Sequence, residues 1–185
     1  MRRIAVATLL ILFSLHTWAD FQDGQDAYNR RDYETALSEW LPLAEQGSAE
    51  AQFLVSEFYE MGLGVAADQI EARRWLLLAA EQGHPMAQFY IGIGYDHGLG
   101  VPKDDAEAVN WYRLAAEQGL AEAQFNLGNS YQWGVGVVQD FAVAHMWFNL
   151  AAAQGDGLAG DLRDRIAAEM PPSQIEEAHN LVVRI

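Results

Sequence analysis

Apolar residues recur along this chain at the spacing of an α-helix, and the pattern returns at a fixed interval. In the segment 48–61, Ala51, Val55 and Phe58 fall three or four residues apart and share one helix face with Tyr59. Equivalent residues follow at Ala87, Ile91, Tyr95, Ala123, Leu127 and Tyr131. The pattern predicts one helix in each of three successive segments, and we call these the A helices.

A second apolar stripe follows each A helix. It consists of Ala72, Trp75 and Ala79, then Ala108, Trp111 and Ala115, then Ala144, Trp147 and Ala151. Asp68 stands at the start of the first stripe and forms a capping-box pair with Glu71. Asp104 and Asp140 hold the equivalent positions. The pattern predicts three B helices, with each tryptophan filling the space between successive helix pairs.

Glycines set the period of the repeat. Gly47, Gly83, Gly119 and Gly155 lie 36 residues apart and end the B helices, and a Gly-x-Gly-Val segment ends each A helix. Two further glycines, Gly92 and Gly128, lie inside A helices, where Ser56 is the small equivalent. A mid-helix glycine costs about 1 kcal/mol relative to alanine. We therefore expect a neighbouring helix to approach closely there.

The two ends of the chain differ from the central repeats. An incomplete helix pair precedes residue 48, with Trp40 one position off the later tryptophans and Pro42 interrupting its second helix. A degenerate A helix over 157–170 ends at two prolines, and Ser173 with Glu176 opens a last helix to about Arg184. We count ten helices in five pairs.

This arrangement predicts an all-α protein, a right-handed α-solenoid of stacked antiparallel helix pairs with a period of 36 residues. The predicted segments are a signal peptide over 1–19, an N-terminal partial repeat over 20–47, full repeats over 48–83, 84–119 and 120–155, and a C-terminal capping pair over 156–185.

The repeat resembles that of the Sel1-like family, relatives of the tetratricopeptide repeat. Asn126-Leu127-Gly128 with Tyr131 matches the first half of the family pattern well, and residues 111–119 match the last part. Val55-Ser56 and Ile91-Gly92 depart mildly from the Leu-Gly of that pattern. The resemblance implies an adaptor or scaffold for protein contacts. Some cysteine-rich relatives bind or hydrolyse β-lactams, but this chain has no cysteine and lacks their disulfide framework.

The first residues predict export. Arg2 and Arg3 precede an apolar run that ends near Leu15, and Ala19 closes a small-residue cleavage site. The run is shorter than the roughly 20 residues that span a bilayer. We expect cleavage after Ala19, a protein of the periplasm or the external medium, and no stable membrane insertion. An uncleaved anchor is the weaker alternative.

The formal net charge of −15 argues against nucleic acid as a partner, because binding phosphates requires clustered Lys and Arg. It is compatible with basic partners, although the carboxylates also solvate outer helix faces. The histidines have no metal-ligand spacing, and the Gly-x-Gly-Val segments lack the third glycine and preceding strand of a dinucleotide loop. We expect no metal, no cofactor and no catalytic residue.

The predicted binding surface lies on the concave side, formed by the A helices. The predicted partner-binding residues are Glu57, Glu60, Met61, Ile93, Asp96, His97, Asn129, Gln132 and Trp133. Trp133 is either an exposed anchor or packed on its own loop. The expected function is a non-catalytic interaction module for a protein or peptide, basic or amphipathic. The alternatives are an envelope polysaccharide-binding scaffold and, less favoured, a cell-envelope hydrolase.

Overall fold

The structure is a computed structural model that describes residues 21–182. The predicted signal peptide, its cleavage after Ala19 and the end of the last helix near Arg184 lie outside the described residues. Within residues 21–182 all regular structure is α-helical, in consecutive packed pairs, which confirms the predicted repeat fold class. None of the described helices is long and apolar enough to cross a bilayer.

Ten helices occupy the described residues. The described part of α1 covers 21–29, and it is followed by α2 (Tyr33–Glu45), α3 (Ala49–Met61), α4 (Gln69–Glu81), α5 (Pro85–His97), α6 (Asp105–Glu117), α7 (Ala121–Trp133), α8 (Phe141–Ala153), α9 (Gly157–Ala167) and α10 (Pro172–Val182). The predicted A helices are α3, α5 and α7, and the predicted B helices are α4, α6 and α8.

The chain divides into two compact units between Gln82 and Gly83. The first holds α1–α4 around a core that includes Trp40, Phe58 and Trp75. The second holds α5–α10, where α5 packs on α6, α7 on α8, and both α9 and α10 on α8. Both units therefore bury apolar faces mainly between helices that are neighbours in sequence, and in the second unit α10 packs on α8 instead.

Aspartates start the B helices as predicted. The side chain of Asp104 accepts hydrogen bonds from the backbone N–H groups of Ala106 at 3.0 Å and Glu107 at 3.1 Å. Asp68 and Asp140 cap α4 and α8 in the same way. The Asp104 backbone N–H also donates to the Tyr95 carbonyl at 2.9 Å, so each cap residue ties the B helix to the helix before it. Local bonds thus set the turn inside each pair.

The glycines inside A helices are covered by aromatic rings. A Cβ atom on Gly92 would lie 2.7 Å from the ring of Tyr112, and one on Gly128 would lie 2.7 Å from the ring of Phe148. The rings have no room to move, because Tyr112 is 2% exposed and Phe148 is fully buried. The close approach predicted from the glycines is confirmed, and its partner is the B helix of the same pair.

The predicted role of the tryptophans is only partly correct. Trp75 and Trp147 are buried, but Trp111 is half-buried. The ring that fills the space inside a pair belongs to the next residue, such as Tyr112. Trp40 holds that same position, 36 residues before Leu76, and packs directly on Gly24. Trp40 is therefore the filling ring of the first pair.

Predictions at the chain ends need correction. Helix α2 continues through Pro42 instead of breaking there. Pro42 is exposed, so water can bond the carbonyl group that it leaves without a donor. The last helix begins at Pro172, one residue before the predicted cap Ser173, because proline suits the first position of a helix. Helix α9 ends at Ala167, short of the predicted residue 170.

A buried glutamine links each A helix to its surroundings. The Gln124 side-chain amide donates to the Ala116 carbonyl at 3.1 Å, and its oxygen accepts from Gln154 at 2.9 Å. Gln52 makes the same two kinds of bond in the first unit. Because Gln124 is buried, leaving its amide unpaired would cost about 1–3 kcal/mol. These bonds hold one repeat to the end of the repeat before it.

Helix α10 returns to α8 through a pair of histidines. His145 on α8 is 5% exposed, its Nδ1 atom has no hydrogen-bond partner among the described residues, and its ring centroid lies 5.9 Å from that of His179. Burial lowers the pKa of His145, as do the charges of His179 and Arg163, while Asp164 opposes them. The neutral imidazole is therefore the form that the folded protein favours.

We expect Gly128→Ala to destabilise the protein by about 1–2 kcal/mol, because overpacking a core outweighs the gain in helix propensity. Urea unfolding measures the change. Gly160→Ala is the matched control, since a Cβ there meets only Ala152 at 3.8 Å and should be neutral or stabilising. Equal stability of the two variants would contradict the ring contact at Gly128.

We expect His145 to make stability depend on pH in a defined direction. Its pKa is lowered from the ordinary 6.5, so the unfolded chain binds more protons and stability falls as the pH drops through 6.5. Urea unfolding at several pH values between 5 and 8 measures this. The variant His145→Val uses the side chain that the preceding repeat has at the equivalent Val109, and it should flatten that part of the profile. An unchanged profile would exclude His145 as its source.

Candidate functional site

The second unit contains a groove with a volume of about 240 Å³. One wall is a face of α6, with Asp105, Ala108 and Tyr112 at helical spacing. The opposite wall is a face of α7, formed by Asn126, Asn129, Ser130 and Trp133. Asp96 from the end of α5 and Val135 from the loop after α7 complete the lining.

Trp133 stands at the open edge of the groove. It is the last residue of α7, directly before Gly134, whose φ of 67° turns the chain away from the helix. The indole is 67% exposed, so it does not pack away on its own loop. The exposed indole agrees with the first of the two interpretations of Trp133, and its role as an anchor stays a prediction.

Tyr112 joins the core to the groove. Its ring packs on Gly92, while its hydroxyl donates to Asp96 Oδ2 at 3.2 Å. Burial raises the pKa of Tyr112 far above its ordinary value, and the charge of Asp96 adds to the effect. The hydroxyl therefore remains a neutral donor that holds the Asp96 carboxylate in place.

Lys103 bridges the two carboxylates that line the groove. Its Nζ lies 2.6 Å from Asp105 Oδ1 and 3.6 Å from Asp96 Oδ1, and it donates to the Asp96 backbone carbonyl at 2.8 Å. The hydrogen bond to Asp105 is the main reason that the pKa of Lys103 is raised. This end of the groove is thus an ion-pair cluster with two carboxylates and one ammonium group.

The loop after α7 closes one edge of the groove. Gly136 has a φ of 70°, and a Cβ there would overlap the backbone carbonyl of Asp105. Only glycine allows both this conformation and this approach. The contact seats the loop on the start of α6 and places Val135 in the lining.

Three of the predicted site residues come together in this groove, namely Asp96, Asn129 and Trp133. Two others differ from the prediction that placed them on an open face. Gln132 is only 6% exposed, and Ile93 packs against the hydrophobic core. The prediction for these two residues used helical spacing alone. Helical spacing does not show which side chains are covered by neighbouring helices, so the prediction was wrong about their exposure.

The remaining predicted residues lie elsewhere. His97 is exposed at the C-terminal end of α5. In the first unit, Glu60 and Met61 are exposed at the end of α3, and Glu57 is half-buried. Burial raises the pKa of Glu57, and the charge of Glu50 raises it further. The C-terminal part of α3 is therefore acidic, and its last residues are exposed in the first unit.

The α6 wall of the groove was not predicted from the sequence. The predicted binding surface lay on A helices, whereas Asp105, Ala108 and Tyr112 belong to a B helix. A signal was present, since these residues lie three and four apart and hence on one helix face. Asn126 and Ser130 were missed for a different reason: they share the helix face of Asn129 and Trp133 but stand further from the turn.

Across the described part of the chain, no three His, Asp or Glu side chains are grouped so that they could hold a metal ion. The groove offers amide, hydroxyl, carboxylate and indole groups, which are suited to hydrogen bonding and stacking with a ligand.

The Sel1 repeat family model matches residues 49–84, 85–120 and 121–156. A Sel1 repeat protein from Oxalobacter formigenes is 36% identical, with a TM-score of 0.77 over 81% of this chain and 44% of that chain. A protective antigen of uropathogenic Escherichia coli with an SLR fold is 29% identical, with a TM-score of 0.77 over 91% of this chain and 38% of that chain. The chain thus spans less than half the length of either structure.

Helicobacter pylori cysteine rich protein B is 22% identical, with a TM-score of 0.53 over 70% of this chain and 96% of that chain. This third similarity shows the fold alone. A search among curated proteins gave no match.

We expect Trp133 to contribute a large share of the fluorescence that acrylamide quenches, because its indole is open to solvent. The difference between the quenching curves of wild type and Trp133→Phe isolates this residue. Trp147→Phe is the matched control, since Trp147 is 4% exposed and its difference curve should show little quenching. Similar difference curves for both tryptophans would contradict the exposure of Trp133.

Proposed function

The chain belongs to the Sel1 repeat family, and from this premise we propose that it is an exported, non-catalytic interaction module whose second unit binds a protein or peptide segment in the groove beside Trp133. Sel1 repeat proteins are in general scaffolds for protein interactions. Because this chain spans less than half of its larger relatives, the proposal concerns what its own residues can bind.

The exposed indole of Trp133 carries the proposal. Leaving a tryptophan exposed forgoes the stabilisation that its burial would provide, and tryptophans of this kind are frequent binding hot spots. The side-chain amides of Asn126 and Asn129 lie beside it on α7 and offer both donors and acceptors to a peptide backbone. An apolar anchor next to polar side chains suits an extended segment with one large side chain.

The charge of the site favours a basic or amphipathic partner. Asp96 and Asp105 line the groove, and the whole protein carries a formal charge of −15. In the first unit, Glu57 and Glu60 add carboxylates on α3. The negative electrostatic potential of these carboxylates accelerates the association of cationic segments and disfavours the binding of acidic ones.

The arrangement of the carboxylates supports a non-catalytic role. Asp96 accepts a hydrogen bond from Tyr112, and both Asp96 and Asp105 pair with Lys103. Both carboxylates are thus already engaged by neighbouring side chains. Hydrolysis is therefore the least favoured function for this groove.

A polysaccharide ligand is the second candidate. An exposed indole beside a side-chain amide can also stack on a sugar ring and bind its hydroxyls, and the groove has this combination in Trp133 and Asn129. The buried aromatic residues have packing roles and do not favour this candidate.

Export rests on the sequence of residues 1–19, which lie outside the described residues. In a periplasmic or external setting the absence of cysteine is compatible with a fold that depends on burial alone. The partner would then be another exported or envelope protein.

A photo-crosslinking amino acid in place of Trp133 tests the proposal. We expect a covalent adduct with a partner protein from this position and none from Leu158, an exposed apolar residue of α9 that serves as the matched control. With the partner in hand, Trp133→Ala should weaken binding by about 2 kcal/mol, or roughly 30-fold, as for an interface hot spot. Titration of purified partner measures this loss.

Adducts from position 158 as strong as those from position 133 would contradict the groove as the binding site. A glycan array that binds wild type, but not folded Trp133→Ala, would favour the polysaccharide candidate instead.

A further inference from the structure

Lys103 is the only lysine of the chain, and its ammonium group pairs with Asp96 and Asp105, the two carboxylates of the groove lining. It lies 2.6 Å from Asp105 Oδ1 and within 3.6 Å of Asp96 Oδ1. The three side chains remain between 31% and 56% exposed, although the Asp105 Oδ1 atom itself is covered in this arrangement. The structure itself shows that an ammonium group fits between these carboxylates.

The hydrogen bond that Lys103 donates to the backbone does not require its positive charge. Lys103 donates to the Asp96 backbone carbonyl near the end of α5, at 2.8 Å. In the next repeat the equivalent residue is Gln139, and its amide donates to the equivalent Gln132 carbonyl at the same 2.8 Å. An uncharged side chain therefore makes this bond equally well, and the charge of Lys103 must be explained by something other than helix termination.

The charged cluster is specific to one repeat. The residues equivalent to Asp96 and Asp105 in the following repeat are Gln132 and Phe141, neither of which is acidic. In the preceding repeat they are Glu60 and Gln69, and Ala67 stands in the place of Lys103. Two carboxylates and one lysine thus occur together only where the groove with Trp133 is found.

We propose that Lys103 is an internal competitor at the acidic end of the groove, and that a lysine or arginine of the partner displaces its ammonium group from Asp96 and Asp105. This inference rests on the proposed function, because it concerns the regulation of the same groove. Lys103 is then a specificity-determining residue that touches no ligand in the bound state.

The physical consequence is that a positive charge alone does not give a ligand high affinity for the groove. When one ammonium group replaces another, the carboxylates remain paired and little net ion-pair energy is gained. The gain must come from what the partner adds, above all contact of its side chain with Trp133, including a cation over the indole face. Ligands that are merely positive are held weakly, and ligands that also fill the groove are selected.

The test compares Lys103→Gln with wild type, because glutamine is the residue that the next repeat uses at this position. The probe is a fluorescein-labelled, end-capped peptide with three lysines and one leucine between glycines, titrated by fluorescence anisotropy at low ionic strength. We expect binding to tighten by about three- to fivefold, as for removal of an exposed competing charge. A matched peptide with glutamine in place of lysine should show no change.

The control variant is Arg74→Gln. Arg74 forms an exposed ion pair with Glu71 in the first unit, at 2.8 Å, and it is not a residue of the groove lining, so its removal changes the net charge by the same amount without altering the cluster at Lys103. Equal tightening by both variants would overturn the proposal, since it would show a general charge effect. Trp133→Phe is added both to the wild type and to Lys103→Gln. A change in the affinity for the probe then reports whether the probe occupies the groove.

Two kinds of failure are distinguishable. If the probe binds in a manner that depends on Trp133 but Lys103→Gln binds no more tightly than wild type, the role of Lys103 is wrong and the groove remains a binding site. If neither protein binds the probe in a manner that depends on Trp133, both the competitor role and the cationic-partner form of the proposed function are wrong.

Discussion

Three helix pairs of the described residues depend on the contact between a glycine on one helix and an aromatic ring on the next. Gly92 with Tyr112, and Gly128 with Phe148, set the distance between the two helices of a pair. The glycine lowers helix propensity, and the buried ring more than offsets this loss through its apolar surface. The first pair follows the same rule with Gly24 and Trp40. Once this distance is set, the caps and turns have little freedom left.

The same contact shapes the groove. Tyr112 fills the interior of its pair with its ring and reaches Asp96 with its hydroxyl, so one residue belongs to both the core and the candidate site. The loop contact at Gly136 acts in a similar way, because a close backbone approach in the fold also places Val135 in the lining. The groove is thus supported by rigid parts of the unit, which suits a binding site that must keep its shape.

Much of the fold could be predicted from the sequence because its signals are local. The period, the aspartate caps and the glycine approaches depend on residues within one helix pair, and the structure confirms them. The burial of the tryptophans was harder to predict, since Trp111 has the same position in its repeat as Trp147 yet is only half-buried. The site was predicted in part for a similar reason. Trp133 stands out in the sequence, whereas the burial of Gln132 and the role of α6 depend on neighbours that periodicity does not show.

The buried glutamines have a consequence for how such a chain can grow. The Gln124 side chain accepts one hydrogen bond from Gln154 of its own repeat. Its amide donates to the preceding repeat at a backbone carbonyl, that of Ala116. Every residue type carries that carbonyl, so this hydrogen bond does not depend on which side chain the preceding repeat has at that position. A duplicated repeat would therefore form the same hydrogen bond to the repeat before it. The exposed residues of the duplicated repeat could then change and bind a new ligand without loss of this bond. Selection can lengthen the array and vary its exposed residues as separate events.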